Sequence, residues 1–257
     1  MESRPVIEAV GLVKRYDRTA AVNGLDFAIA GGTILGLVGP NGAGKTTSMR
    51  CMAGIIPATE GRIAIAGHDL ATEPLASKRR LAFVPDTPHL FDYLTVEEHL
   101  RFAGRLYGVT DVDERIETLL TEFELLDRRH HLPGSLSRGM KQKAAICLGF
   151  LHDPVAIFLD EPLTGLDPIG IRRMKNAISR RAKEQGAAVL VSSHQLELIE
   201  ETCDEIYVIK RGRKVISGSI SAIRAELGGL PEDLSLEDLF FRLTERGDEE
   251  PAEVEPR

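Results

Sequence analysis

The chain reads as an α/β protein: a parallel sheet flanked by helices, with antiparallel strands near its N-terminus and a helical lobe set into its middle. Three observations carry that expectation. Short apolar runs alternate with longer helical patterns along most of the sequence, the order that folds into a helix-flanked parallel sheet. From Thr95 to Asp153 the alternation gives way to an almost purely helical pattern. Ahead of the first buried run, two segments with strand character lie close together, Val6–Val13 and Leu25–Ile29.

Each element has its own warrant. Val6–Val13 and Leu25–Ile29 suit an antiparallel pair. Thr33–Gly39 (TILGLVG), Leu81–Val84 (LAFV), Val155–Asp160 (VAIFLD) and Ala187–Val191 (AAVLV) are nearly continuous apolar runs, as expected of strands buried on both faces. Thr95-Val96-Glu97-Glu98 has capping-box spacing and opens the helical lobe. After Gly218 come two short helices, the second capped by Ser235, and then a tail rich in acidic residues. The expected organisation is one domain over 1–218, with its α/β core at about 1–86 and 154–218 and the helical subdomain at about 87–153. A helical extension follows at 219–246, then a disordered acidic tail at 247–257.

Bulk properties narrow the class. The 257 residues are 43% hydrophobic and 28% charged, ordinary for a soluble globular chain with room for a sizeable core. No apolar run approaches the roughly 18–20 residues that span a bilayer, and the start Met1-Glu2-Ser3-Arg4-Pro5 does not read as a secretory signal. Any work at a membrane is therefore expected to be peripheral, on the cytoplasmic face, through another polypeptide. A net charge of −7 argues against a nucleic-acid partner, although six acidic residues in the tail inflate it. Cys51, Cys147 and Cys203 lie far apart without metal-ligand spacing, as reduced cytoplasmic thiols do.

Gly39-Pro40-Asn41-Gly42-Ala43-Gly44-Lys45-Thr46, followed by Thr47, fits G-x-x-x-x-G-K-[ST] between a buried strand and a helix. Glycines let the backbone curl so that its N–H groups converge on phosphate oxygens. The helix start adds free N–H groups and the positive end of its dipole. Lys45 is placed to neutralise β- and γ-phosphate charge and Thr46 to ligate Mg²⁺. Phe158-Leu159-Asp160-Glu161-Pro162 then supplies two consecutive carboxylates at a strand end, Asp160 for the metal and Glu161 as general base for the attacking water. His194 follows the strand AAVLV, at the edge where open α/β sheets bind ligands, and is expected to contact the γ-phosphate. The implied ligands are ATP and Mg²⁺, on a P-loop NTPase (RecA-like) core.

With Leu136-Ser137-Arg138-Gly139-Met140-Lys141-Gln142-Lys143, these motifs together resemble the ABC (ATP-binding cassette) ATPase family over essentially residues 5–218. The segment is similar to the family signature, usually written LSGGQ. Ser137 is a good helix N-cap, and Gly139 keeps that helix entry open for an anion. The resemblance implies that Ser137 and Gly139 grip the γ-phosphate held by an opposite subunit, so that a second cassette, identical or different, completes a dimer around ATP. Thr164-Gly165-Leu166-Asp167 resembles the loop that links the two sites. Tyr16 resembles the aromatic residue that stacks on adenine; a plain surface tyrosine is the alternative.

Two segments depart from the family pattern. Asp86, in Phe83-Val84-Pro85-Asp86, stands where the family has glutamine; it can ligate Mg²⁺, but an ionised carboxylate cannot donate to water. Arg138 and Met140 replace a glycine and a glutamine, and Arg138 either contacts phosphate or faces solvent. Cassettes with such a basic residue resemble the branch that serves exporter-type permeases, drug-resistance systems among them. Residues about 86–95, rich in apolar and aromatic side chains (Thr87-Pro88-His89-Leu90-Phe91-Asp92-Tyr93-Leu94), are expected either to receive an integral membrane permease or to close the joint between the lobes. The expected function is the ATPase subunit of an exporter. The alternative is a soluble ABC ATPase acting on nucleic acid or ribosomes. Other P-loop enzymes are disfavoured, because no N-K-x-D guanine-reading motif occurs.

Overall fold

A computed structural model describes residues 4–226. The second C-terminal helix, expected after Ser235, and the tail at 247–257 lie outside the described residues. In chain order the elements are β1 (Ile7–Tyr16), β2 (Thr19–Ile29), β3 (Ile34–Val38), α1 (Lys45–Met52), β4 (Glu60–Ile65), β5 (His68–Asp69), α2 (Pro74–Lys78) and β6 (Leu81–Val84). Then follow α3 (Val96–Tyr107), α4 (Val112–Glu122), α5 (Arg138–Phe150), β7 (Ala156–Asp160), α6 (Pro168–Lys183), β8 (Ala188–Ser192), α7 (Leu196–Thr202), β9 (Glu205–Lys210), β10 (Arg213–Gly218) and α8 (Ile220–Glu226).

Ten strands form two sheets. One is antiparallel, in the order β2-β1-β4-β5; the other runs β10-β9-β3-β8-β7-β6 and is parallel except for the β9–β10 hairpin. Every residue of β3, β7 and β8 is buried, which is why these strands read as unbroken apolar runs. Their side chains alternate between two cores. Ile34, Val38, Ile157, Leu159, Val189 and Val191 pack toward the helices of the second half, whereas Leu35, Leu37, Phe158 and Leu190 pack toward α1 and the antiparallel sheet. Asp160 and Ser192 continue the second parity, so they emerge on the side of the sheet that carries α1.

Four strands were not anticipated. β4 opens with three exposed residues, Glu60-Gly61-Arg62, before its apolar half, so it matches neither the alternating nor the continuous strand pattern. It turns into β5 through Ala66 and Gly67, both at positive φ, a pairing that suits a tight hairpin. β9 and β10 turn in the same way at Arg211 and Gly212.

The stretch from Thr95 to Asp153 contains α3, α4 and α5 with two short 3₁₀ turns between them. The capping box is present: the Glu98 N–H donates to the Thr95 hydroxyl, and Glu98 accepts from the Thr95 backbone at 2.7 Å. Glu97, buried in this lobe, accepts from Arg101 and Arg129. These partners hold its carboxyl down at about 2 against the opposing effect of burial. Replacing an N-cap threonine typically costs about 1 kcal/mol. Thr95→Ala should accordingly lower the thermal midpoint by a few degrees, measured by calorimetry, without changing nucleotide affinity.

Candidate active site

The loop between β3 and α1 is shaped by backbone proximity. A Cβ on Gly39 would meet the Ile209 carbonyl oxygen at 2.4 Å, and one on Gly44 would meet the Ala21 oxygen at the same distance. Gly44 also sits at φ 104 as the residue before α1. No side chain fits at either place. The curl thus created draws Lys45 inward, where its ammonium donates to the carbonyls of Gly39 at 2.6 Å and Pro40 at 3.3 Å. Burial pushes the Lys45 pKa below its ordinary value, while Glu161 and Asp160 pull the other way.

Asp160 is the other anchor. It ends β7 directly beside Ser192, which ends β8 in parallel register. The Ser192 hydroxyl donates to Asp160 Oδ1 at 2.6 Å, and the Thr46 hydroxyl donates to the same oxygen at 3.1 Å. The phosphate-type loop and the acidic strand end are therefore joined by a direct bond. Glu161, the next residue, adopts φ 49, a left-handed conformation that is costly for a side-chain-bearing residue. Its N–H donates to the Ser192 carbonyl at 3.0 Å. That bend turns the Glu161 side chain along the sheet edge, where His194 Nδ1 lies 2.8 Å from Oε2.

Asn41–Thr47, Ala21, Asp86, Asp160 and Glu161 line one cleft of about 260 Å³. Asp86 arrives there because β6 pairs with β7 so that Val84 faces Leu159. Gly39 and Pro40 contribute through the carbonyls that hold Lys45, and His194 through Glu161. Like Gly39, Pro40 and His194, which adjoin the cleft through these contacts, Tyr16, Ser137 and Gly139 of the sequence reading are not in its lining. Tyr16, at the end of β1, is 49% exposed with Lys14 Nζ 5.0 Å from its ring centre. Ser137 caps α5 by accepting from the Met140 N–H at 3.2 Å. Gly139 presses so closely on the 164–167 loop that a Cβ would meet the Gly165 oxygen at 2.4 Å.

Hard oxygen donors suit Mg²⁺, which takes one or two protein groups and fills its shell with phosphates and water. Thr46 and Asp160 meet that requirement with oxygens already in contact. Among the described residues, no group of three or more His, Cys, Asp or Glu forms a self-sufficient metal cage. Sequence reasoning passed over Ser192. Its partnership with Asp160 follows from strand register, which adjacency in the chain does not reveal.

A glycine-walled loop feeding a helix N-terminus, joined by a threonine hydroxyl to a strand-end aspartate with a glutamate beside it, defines a P-loop ATPase. The ABC transporter family model matches residues 22–164. Over 231 residues the chain is 34% identical to the ABC-type transporter ATP-binding protein EcsA of Bacillus subtilis, covering 89% of this chain and 92% of that protein. It is 34% identical over 246 residues to the daunorubicin/doxorubicin resistance ATP-binding protein DrrA of Streptomyces peucetius, covering 94% and 74% respectively. A solved ATP-binding subunit of an ABC transporter superposes with a TM-score of 0.88 at 35% identity, covering 93% of this chain and 99% of that one. A dimeric ATP-binding cassette with ADP and Pi shares the fold, with a TM-score of 0.78 at 21% identity over 83% of this chain and 98% of that one. The chain belongs to the ABC transporter family, as one of its ATP-binding ATPase subunits.

Removing a hydrogen bond to a buried charged group costs about 1.5–3 kcal/mol. Ser192→Ala should lower unfolding stability by that order in urea titration. It should also raise the Mg²⁺ concentration needed for half-maximal ATP turnover, because Asp160 loses the closer of its two donors.

Proposed function

We propose that this chain closes with a second cassette around two Mg-ATP molecules and drives a separate membrane permease in the direction of export. The observation that carries the reading is the Thr46–Asp160 bond with Glu161 and His194 alongside. It assembles phosphate binding, metal binding and water activation at one sheet edge.

The roles follow from chemistry. The N–H groups of residues 39–47 bind phosphate oxygens at the start of α1, and Lys45 exchanges its loop carbonyls for β- and γ-phosphate. Thr46 and Asp160 hold Mg²⁺, with Asp86 as a further oxygen donor. When bound there, the ion neutralises β- and γ-phosphate charge. Glu161 accepts a proton-side hydrogen bond from the attacking water. His194, oriented by Glu161, contacts the γ-phosphate, and Tyr16 offers its exposed ring to adenine. Ser137 and Gly139, outside the cleft of their own chain, serve the nucleotide of the partner cassette. That reading is supported by the exposure of Ser137 at the start of α5 and by the dimeric form of the ADP- and Pi-bound relative in fold.

For the permease, residues about 86–95 offer an apolar groove. A cavity of about 440 Å³ lies between the lobes, lined by Phe83, Pro88, Leu90, Tyr107 and Leu148 among others. In the same stretch of chain Phe91 is 61% and Tyr93 92% exposed. Among the described residues, no helix is long and apolar enough to cross a membrane. The outward direction is supported by relatives named for resistance and for peptide export. Nothing observed favours the soluble reading, in which such an ATPase acts on nucleic acid or ribosomes.

Lys45→Ala should abolish ATP turnover, with normal turnover refuting the phosphate-site assignment. Glu161→Gln should retain nucleotide binding while hydrolysis falls by about 10²–10⁴-fold, the usual scale for losing a general base. Tagged protein drawn from membranes in mild detergent should carry a polytopic membrane protein in stoichiometric amount. Ribosomal or DNA-bound partners would overturn the transport reading.

A further inference from the structure

Arg138 and Asp86, one from each segment that departs from the family pattern, touch each other. Arg138 Nη2 donates to Asp86 Oδ1 at 3.3 Å, with the two side chains 60% and 44% exposed. One residue opens α5 in the helical lobe; the other lines the ATP cleft of the same chain. A second tie runs parallel to the first. Gln142, one turn further along α5, donates from Nε2 to the Pro85 carbonyl at 3.4 Å. The stem of Arg138 also lies against the 164–167 loop, its Cγ 3.3 Å from where a Gly165 Cβ would be. Arg138 therefore spans the start of α5, that loop and the cleft wall.

The charge balance gives the contact a purpose. Asp86, Asp160 and Glu161 bring three carboxylates to a cleft whose own cation is Lys45. A triphosphate entering that cleft meets a repulsion that a neutral residue at position 86 would not create. Arg138 offsets it from outside, without entering the phosphate loop.

We propose that Arg138 is a positioning residue that acts through Asp86: it neutralises and holds the cleft carboxylate, and so ties the start of α5 to the nucleotide site of its own chain. The proposal deepens the ATP-site reading and rests on it. An exposed ion pair changes an equilibrium by up to about fivefold, so the tie biases nucleotide binding without locking it. Its exposure leaves both partners free to exchange for other charges when α5 meets a second cassette.

The test is a double-mutant cycle on ATP affinity. The full-length chain would be assayed in EDTA, at a dilution where light scattering shows monomer, with a fluorescent ATP analogue as probe. Arg138→Gln should weaken binding about three- to fivefold by leaving Asp86 unpaired. Arg138→Lys should recover part of the loss. In an Asp86→Asn background, Arg138→Gln should have no effect. Equal losses in both backgrounds would mean that Arg138 meets the nucleotide directly or merely supports the fold, and would overturn the proposal, as would an Arg138→Gln chain that binds like the original. Failure of the original chain to bind the probe at all would instead overturn the ATP-site reading beneath it.

Discussion

One oxygen, Asp160 Oδ1, receives the hydroxyls of both Thr46 and Ser192, and the site depends on that convergence. The three residues come from α1, β7 and β8, so the bond pair fixes the phosphate loop against the central strands. Asp160 is only 2% exposed and Ser192 fully buried. Water offers little competition there, and each charge-assisted bond is correspondingly strong. Without these donors a buried carboxylate would be an electrostatic burden. With them it is an oriented carboxylate, placed as the proposed function requires of a cation ligand.

The fold makes this convergence inexpensive. Side chains on β3, β7 and β8 alternate between two cores, and the parity that buries Leu37, Phe158 and Leu190 toward α1 sends Asp160 and Ser192 out on that same side. The strands need no distortion to deliver them. Just past the end of β7 the backbone turns left-handed at Glu161, whose carboxylate lies beside His194. The Gly39 and Pro40 carbonyls keep the buried Lys45 ammonium satisfied.

Much of this was legible in the sequence because its signals are local. The loop at 39–46, the carboxylates at 160 and 161 and the capping box at 95–98 each sit within a few consecutive residues. The central strands were equally readable, since burial on both faces leaves an unbroken apolar run. What escaped depends on distant pairing. Ser192 matters through its register with Asp160, and Arg138 through its reach to Asp86 across the joint between the lobes. β4 and β9 escaped for a related reason: each is stabilised by its neighbours in a sheet more than by a pattern of its own, as the half-exposed Glu60-Gly61-Arg62-Ile63-Ala64-Ile65 illustrates.

The arrangement within one chain is incomplete in a specific way. Ser137 and Gly139 stand at the start of α5, yet they do not line the cleft that holds Lys45 and Glu161. In the proposed function a second copy or a related cassette supplies what is missing, with ATP shared between them. Light scattering on the Glu161→Gln chain, with and without saturating Mg-ATP, tests this most directly. The account predicts a monomer without nucleotide and a dimer of twice the mass with it. A chain that binds Mg-ATP and stays monomeric would contradict completion of the site by a second copy of this chain.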